Sequence, residues 1–198
     1  MKTTLTDRVK TFSYPLIFPV VRCLSRLKVH PNVISILGAL GFLIAAFLVG
    51  MGKFLAAGIV IAIAGPLDAI DGALARYTGK VTRFGAFLDS TLDRYAEIFL
   101  FLGFTYYFLG TGDGWGVILS FLAITGSLMV SYTRARAEGA GFECKIGLFT
   151  RFERLFLLTL SLFFNLYLYI IAVLAILTHF TAFQRIFYVY NQYTKRGD

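Results

Sequence analysis

The chain predicts an all-α integral membrane protein: six transmembrane helices preceded by an interfacial amphipathic helix, with N and C termini cytoplasmic. Three observations carry this. The 198 residues are 58% hydrophobic, 17% aromatic and only 15% charged, too apolar for an ordinary soluble domain. Several apolar runs approach or exceed the roughly 18–20 residues needed to cross a bilayer. The basic residues gather on alternate connections, which is the pattern the positive-inside rule produces.

Residues 1–30 form the N-terminal segment. Leu16, Val20, Leu24 and Leu27 recur at helical spacing, with Arg22 and Arg26 on another face, so this stretch is expected to lie on the membrane surface. Pro15 and Pro19 blur its start. His30-Pro31-Asn32 breaks the pattern, and Asn32 or Ser35 is expected to cap the next helix. No small-residue cleavage signature accompanies the first apolar run, so no signal peptide is expected.

The membrane domain occupies 31–193, and 194–198 is a polar tail. Spans are expected at roughly 32–50, 53–78, 83–110, 115–138, 148–164 and 167–192, with Asn165 as the break between the last two. With six spans, one face collects Arg22, Arg26, Lys80, Arg83, Arg134 and Arg151, among others, and the opposite face holds Lys53 alone. A net charge of +8 sorted in this way points to anionic headgroups and phosphorylated substrates, not to nucleic acid. Cys23 and Cys144 make no disulfide framework and are expected to be reduced bystanders. His30 and His179 are given no ligand role.

Five acids lie inside apolar stretches, and four follow one spacing. Asp68, Asp71, Asp89 and Asp93 form D-x2-D-G-x2-A-R-x8-G-x3-D-x3-D. Acidic side chains within membrane segments are costly and mark function. The short turn around 78–82 brings the two pairs together, and each pair shares a helix face. Four carboxylates in a low-dielectric pocket repel one another, and two divalent cations would balance them. Hard oxygen donors favour Mg2+, with Mn2+ a second choice. Gly72 lets a ligand approach the backbone, and Ala69, Ala73, Ala75, Gly79, Gly85 and Ala86 are expected to let the two helices pack closely. Gly65-Pro66 should loosen or bend the helix before Asp68. The competing reading pairs the acids with Arg76, Arg83 and Arg94. Glu97 continues the series, in a structural or supporting role.

The segment Asp68–Asp93 resembles the signature of the CDP-alcohol phosphotransferases (CDP-alcohol phosphatidyltransferases) at every fixed position. The length, the six-helix layout and His30-Pro31-Asn32 are similar to that family too. The resemblance implies transfer of a phosphatidyl or related group from a CDP-linked donor to an alcohol, release of CMP, and a homodimer. It implies Asp68, Asp71 and Asp89 as metal ligands, and Asp93 as the general base lying near the second metal. Gly72, Ala75, Arg76, Thr82 and Gly85 would border the donor, CDP-diacylglycerol or CDP-archaeol.

The acceptor is read from the connection between the fourth and fifth spans. Arg134, Arg136, Lys145, Arg151 and Arg154, with Ser131, make a pocket suited to a phosphate monoester. Arg185 is a further candidate for its lining. The order S-Y-T-R-A-R-A-E, then G-L-F-T-R-F-E-R, resembles the phosphatidylinositol-phosphate synthase branch and implies inositol 1-phosphate as the phosphorylated polyol. The alternatives are glycerol 3-phosphate as acceptor, which would make the chain a phosphatidylglycerophosphate synthase, or a divalent-metal transporter with the acids along its path.

Overall fold

The computed structural model describes residues 17–196 except 145 and 148. Among these residues the chain is entirely helical. A short helix α1 (17–26) precedes α2 (Pro31–Gly50), α3 (Phe54–Ala64), α4 (Leu67–Tyr77) and α5 (Arg83–Thr111). Then come α6 (Gly114–Gly139), α7 (Arg151–Phe163) and α8 (Tyr167–Arg196). The expected second span is thus two helices, broken where Gly65-Pro66 interrupts the hydrogen-bond ladder. Asn165, with φ +55°, makes the turn between α7 and α8.

Among the described residues, four stretches are long and apolar enough to cross a bilayer: Pro31–Gly50, Phe54–Tyr77, Gly114–Gly139 and Tyr167–Lys195. Helix α5 has the length, with 29 residues, but carries Asp89, Asp93, Arg94 and Glu97 in its first half. Helix α7 has 13 residues, about 20 Å at the helical rise, short of the roughly 30 Å hydrocarbon core.

The ends of the helices follow local chemistry. His30, not Asn32 or Ser35, caps α2: its Nδ1 accepts from Asn32 N at 3.3 Å, and Pro31 fills the first helical position. This gives His30 the capping role that the sequence reading assigned to its neighbours. Thr82 Oγ1 accepts from Gly85 N at 2.9 Å at the start of α5, and Asp113 Oδ1 accepts from Gly116 N at 3.0 Å at the start of α6. Gly112, with φ +74°, closes α5 in the left-handed conformation.

Helix α2 is the hub and packs against α3, α4 and α5, while α6 pairs with α8. A side chain at Gly103 would strike the backbone of Ala46, so α2 and α5 cross almost in contact. The main core runs through Phe42, Val49, Leu100, Phe104, Leu158 and Leu174. A second cluster joins α1 to α2 and α4 through Val21, Ile34, Ile70 and Leu74, flanked by Ile17 and Leu24. The packed face of α1 is therefore Ile17, Val21 and Leu24. Of the apolar residues expected along the membrane surface, Leu24 packs partly against protein, Val20 and Leu27 are exposed, and Leu16 lies outside the described residues. Helical periodicity identified an apolar helix here but not which apolar stripe meets protein.

Candidate active site

Four acids enter one cleft from two helices. Asp68 stands in the first turn of α4, where the helix dipole favours negative charge, and Asp71 follows one turn later. The chain reverses through 78–82, and α5 presents Asp89 and Asp93 from its second and third turns. Carboxylate oxygens of Asp68, Asp89 and Asp93 lie within 4.8 Å of one another. Asp71 is buried, and its Oδ2 accepts from Ser35 Oγ at 2.5 Å. The cleft is lined by Ser35, Asp68, Asp71, Asp89, Asp93 and Arg151.

The two acidic helices do not pack closely on each other, contrary to the expectation from their small residues. Each packs on α2 instead. Ala73 is buried in the α1–α2–α4 cluster, and a Cβ on Gly85 would meet Thr82 Oγ1 at 3.0 Å and Asn32 Oδ1 at 3.3 Å. Ala73 and Gly85 thus help seat α4 and α5 against α2, and the gap between the two helices is left to the carboxylates. Mutual repulsion of four acids works in the same direction.

One cation reaches into the cluster from α7. Arg151 Nη1 lies 2.7 Å from Asp93 Oδ1 and 3.1 Å from Asp68 Oδ1. Arg94 Nη2 lies 3.1 Å from Asp93 Oδ2. Of the three arginines in the competing salt-bridge reading, only Arg94 is paired with these acids. Arg83 is exposed, and Arg76 folds back over Gly72, where a Cβ would come within 3.5 Å of its Nη1.

The donor set fits a divalent cation. At least three carboxylates from two helices converge on one point, all hard oxygen donors. The position of the Arg151 guanidinium between two of them shows that the geometry suits positive charge.

The basic residues of the α6–α7 connection are dispersed. Arg134, half exposed, donates from Nε to Glu138 Oε1 at 2.8 Å, and Arg136 is exposed. Ser131 Oγ donates to Ser127 O at 3.4 Å. Lys145 lies outside the described residues. Arg154, expected beside them, is instead buried: Nη2 meets Glu97 Oε1 at 2.7 Å and Nη1 donates to Phe149 O at 3.0 Å. Arg185 is buried too, donating from Nε to Ile146 O at 2.9 Å and from Nη1 to Val130 O. It fastens the loop before α7. Burial raises the pKa of the Cys144 thiol in that loop, in keeping with an inert cysteine.

Ser35 was missed as a site residue. Its sequence signal was only a hydroxyl one turn after Asn32; the partner Asp71 lies 36 residues away and is met only in the fold.

The family model for CDP-alcohol phosphatidyltransferase matches residues 28–183. The archaetidylinositol phosphate synthase of Pyrococcus horikoshii is 40% identical over 167 residues, 84% of this chain and 86% of that protein. A crystal structure of Mycobacterium tuberculosis phosphatidylinositol phosphate synthase with CDP-DAG bound superposes with a TM-score of 0.83 at 32% identity, covering 89% of this chain and 94% of the other. The same enzyme in complex with manganese and citrate gives a TM-score of 0.81 at 31% identity, covering 88% of each chain. By its matched length, its relatives and its acidic cleft, this chain belongs to the CDP-alcohol phosphatidyltransferase family.

Proposed function

We propose that this protein transfers the phosphatidyl or archaetidyl group of a CDP-linked lipid to a phosphorylated alcohol, inositol 1-phosphate above others, with release of CMP. The convergence of Asp68, Asp89 and Asp93 beside Arg151 carries the reading, because it puts a cation site and a phosphate-seeking guanidinium in one cleft. The relatives named archaetidylinositol phosphate synthase and phosphatidylinositol phosphate synthase support the acceptor.

In this reading Asp68, Asp71, Asp89 and Asp93 hold two Mg2+ ions, with Mn2+ as a substitute. A bound metal would supply the positive charge that the donor diphosphate and the leaving CMP require. Ser35 orients the Asp71 carboxylate through its hydrogen bond. Gly72, Ala75, Arg76, Thr82 and Gly85 border the donor. The acceptor hydroxyl oxygen forms a bond to the lipid-bearing phosphorus as the bond from that phosphorus to the CMP oxygen breaks. Asp93 takes the hydroxyl proton. Arg151 holds the acceptor phosphate next to Asp93, with Ser131, Arg134, Arg136 and Lys145 drawing the anion in from the surface.

The membrane arrangement belongs to the same proposal. In this arrangement six helical rods, α3 and α4 counting as one and α7 a short one, would leave both termini and the cleft on the cytoplasmic side. The one-sided distribution of basic residues supports this, and the protein works as a homodimer.

Purified protein given Mg2+, CDP-diacylglycerol and inositol 1-phosphate should release CMP. Turnover with glycerol 3-phosphate and none with inositol 1-phosphate would replace the acceptor. No CMP with any phosphorylated polyol would overturn the reading.

A further inference from the structure

We propose that the buried Glu97–Arg154 pair is a register pin, which sets α7 against α5 and so positions Arg151 at the reaction site. Glu97 lies one turn after Asp93 on α5, and Arg154 lies one turn after Arg151 on α7. The two helices are therefore joined by parallel cross-links: Arg151 Nη1 to Asp93 Oδ1 at 2.7 Å, and Arg154 Nη2 to Glu97 Oε1 at 2.7 Å.

Between α5 and α7 this register is set by side chains, those of the shared apolar core and the two ion pairs. Helix α5 packs closely on α2 and α6, and α7 on α3 and α8, but α5 and α7 are not in close backbone contact. Long side chains bridge the gap between them. Arg154 also donates from Nη1 to Phe149 O at 3.0 Å, next to Thr150, the N-cap of α7. One guanidinium thus holds both the start of α7 and its rotation.

The pair is a poor device for stability alone. Both side chains are almost wholly buried, and Glu97 Oε2 and Arg154 Nε find no hydrogen-bond partner among the described residues. Apolar side chains of similar volume would avoid the desolvation that two buried charges impose. What a buried charge pair supplies is selectivity for one register: sliding α7 by a turn leaves one buried charge of the pair without its partner, Glu97 when Arg154 moves to Asp93 and Arg154 when Arg151 moves to Glu97. Neither residue lines the acidic cleft. They are positioning residues that act through Arg151.

The inference rests on the proposed reading of Arg151 as the acceptor-phosphate ligand for the kinetic constant it moves, and the experiment separates the two. Glu97→Leu/Arg154→Leu in detergent should keep its unfolding temperature within a few degrees. Misplacement of Arg151 should then raise KM for inositol 1-phosphate about 10- to 100-fold, with KM for CDP-diacylglycerol unchanged. In an Arg151→Ala background the same double change should cost nothing further, because the group it positions is gone. A second loss of similar size in that background, or unaltered acceptor kinetics in the folded double variant, overturns the pin. If Arg151→Ala moves donor and acceptor KM alike, the acceptor reading fails. The pin is then judged by the same non-additivity in whichever constant Arg151→Ala moves. Should the leucine pair fail to fold, Glu97→Gln keeps the shape, removes the charge pairing and goes through the same cycle. A rise in acceptor KM that disappears in the Arg151→Ala background supports the pin, and unaltered acceptor kinetics overturn it.

Discussion

The acidic cleft on α4 and α5 and the basic connection between α6 and α7 both gather like charges in a small region, but they are ordered by different means. In the cleft, spacing along two helices is enough: three or four residues separate each pair, and one short turn brings the pairs together. In the basic connection, spacing says little. Arg151 and Arg154 are one turn apart, yet one reaches Asp68 and Asp93 at the edge of the cleft while the other is buried against Glu97. Arg134 stays at the surface with Glu138. Local sequence sets the acids; tertiary packing sorts the bases.

The sharpest way to break this comparison is to remove a carboxylate's charge while keeping its shape. Asp93→Asn should lower kcat by about 10²- to 10⁴-fold, the range a positioned general base supplies. Mn2+ binding titrated by EPR should weaken by far less than kcat falls, because Asp68, Asp71 and Asp89 keep their charges, and donor binding should remain close to wild type. A near-normal rate would remove Asp93 as the base.

On the basic side, the largest effect should fall on stability. Arg154→Ala leaves Glu97 buried and unpaired, which should cost about 3–5 kcal/mol, read as a lower unfolding temperature in detergent. An unchanged unfolding temperature would show that Glu97 finds another partner or reaches water.

Next in size is Arg151→Ala. A charge-assisted hydrogen bond to a phosphate contributes about 1.5–3 kcal/mol, so KM for the phosphorylated acceptor should rise about 10- to 150-fold, with donor affinity retained. Equal weakening of donor and acceptor would reassign Arg151 to the donor or to folding.

These variants follow the line between what the sequence displays and what it conceals. The helices were legible because long apolar runs and the breakers Gly65-Pro66 and Asn165 act locally. The acid cluster was legible because helical spacing is itself geometry. Membership of the family followed from the same residues, and with it the transporter alternative falls away. The role of Ala73 and Gly85 was not legible, because small residues announce close packing without naming the neighbour, which here is α2 and its associated cluster. The fate of Arg154 was hidden for a related reason: its partner Glu97 is 57 residues away and is met only when α5 and α7 share a core.

The smallest expected effect tests the surface end of the basic connection. The Arg134–Glu138 pair is an i,i+4 contact with both side chains about half exposed, at 50% and 48%. Solvent screens such a pair, so Arg134→Ala should change stability by less than about 1 kcal/mol. If Arg134 also draws the acceptor phosphate inwards, the variant should show a modest rise in acceptor KM that grows smaller at high salt, because attraction across solvent is screened beyond about 10 Å at 0.1 M. A rise that persists at high salt would mean that Arg134 makes a direct, desolvated contact with the phosphate. The contrast would then move inwards: tertiary packing would have sorted the bases into two phosphate ligands, Arg134 and Arg151, and one buried pin.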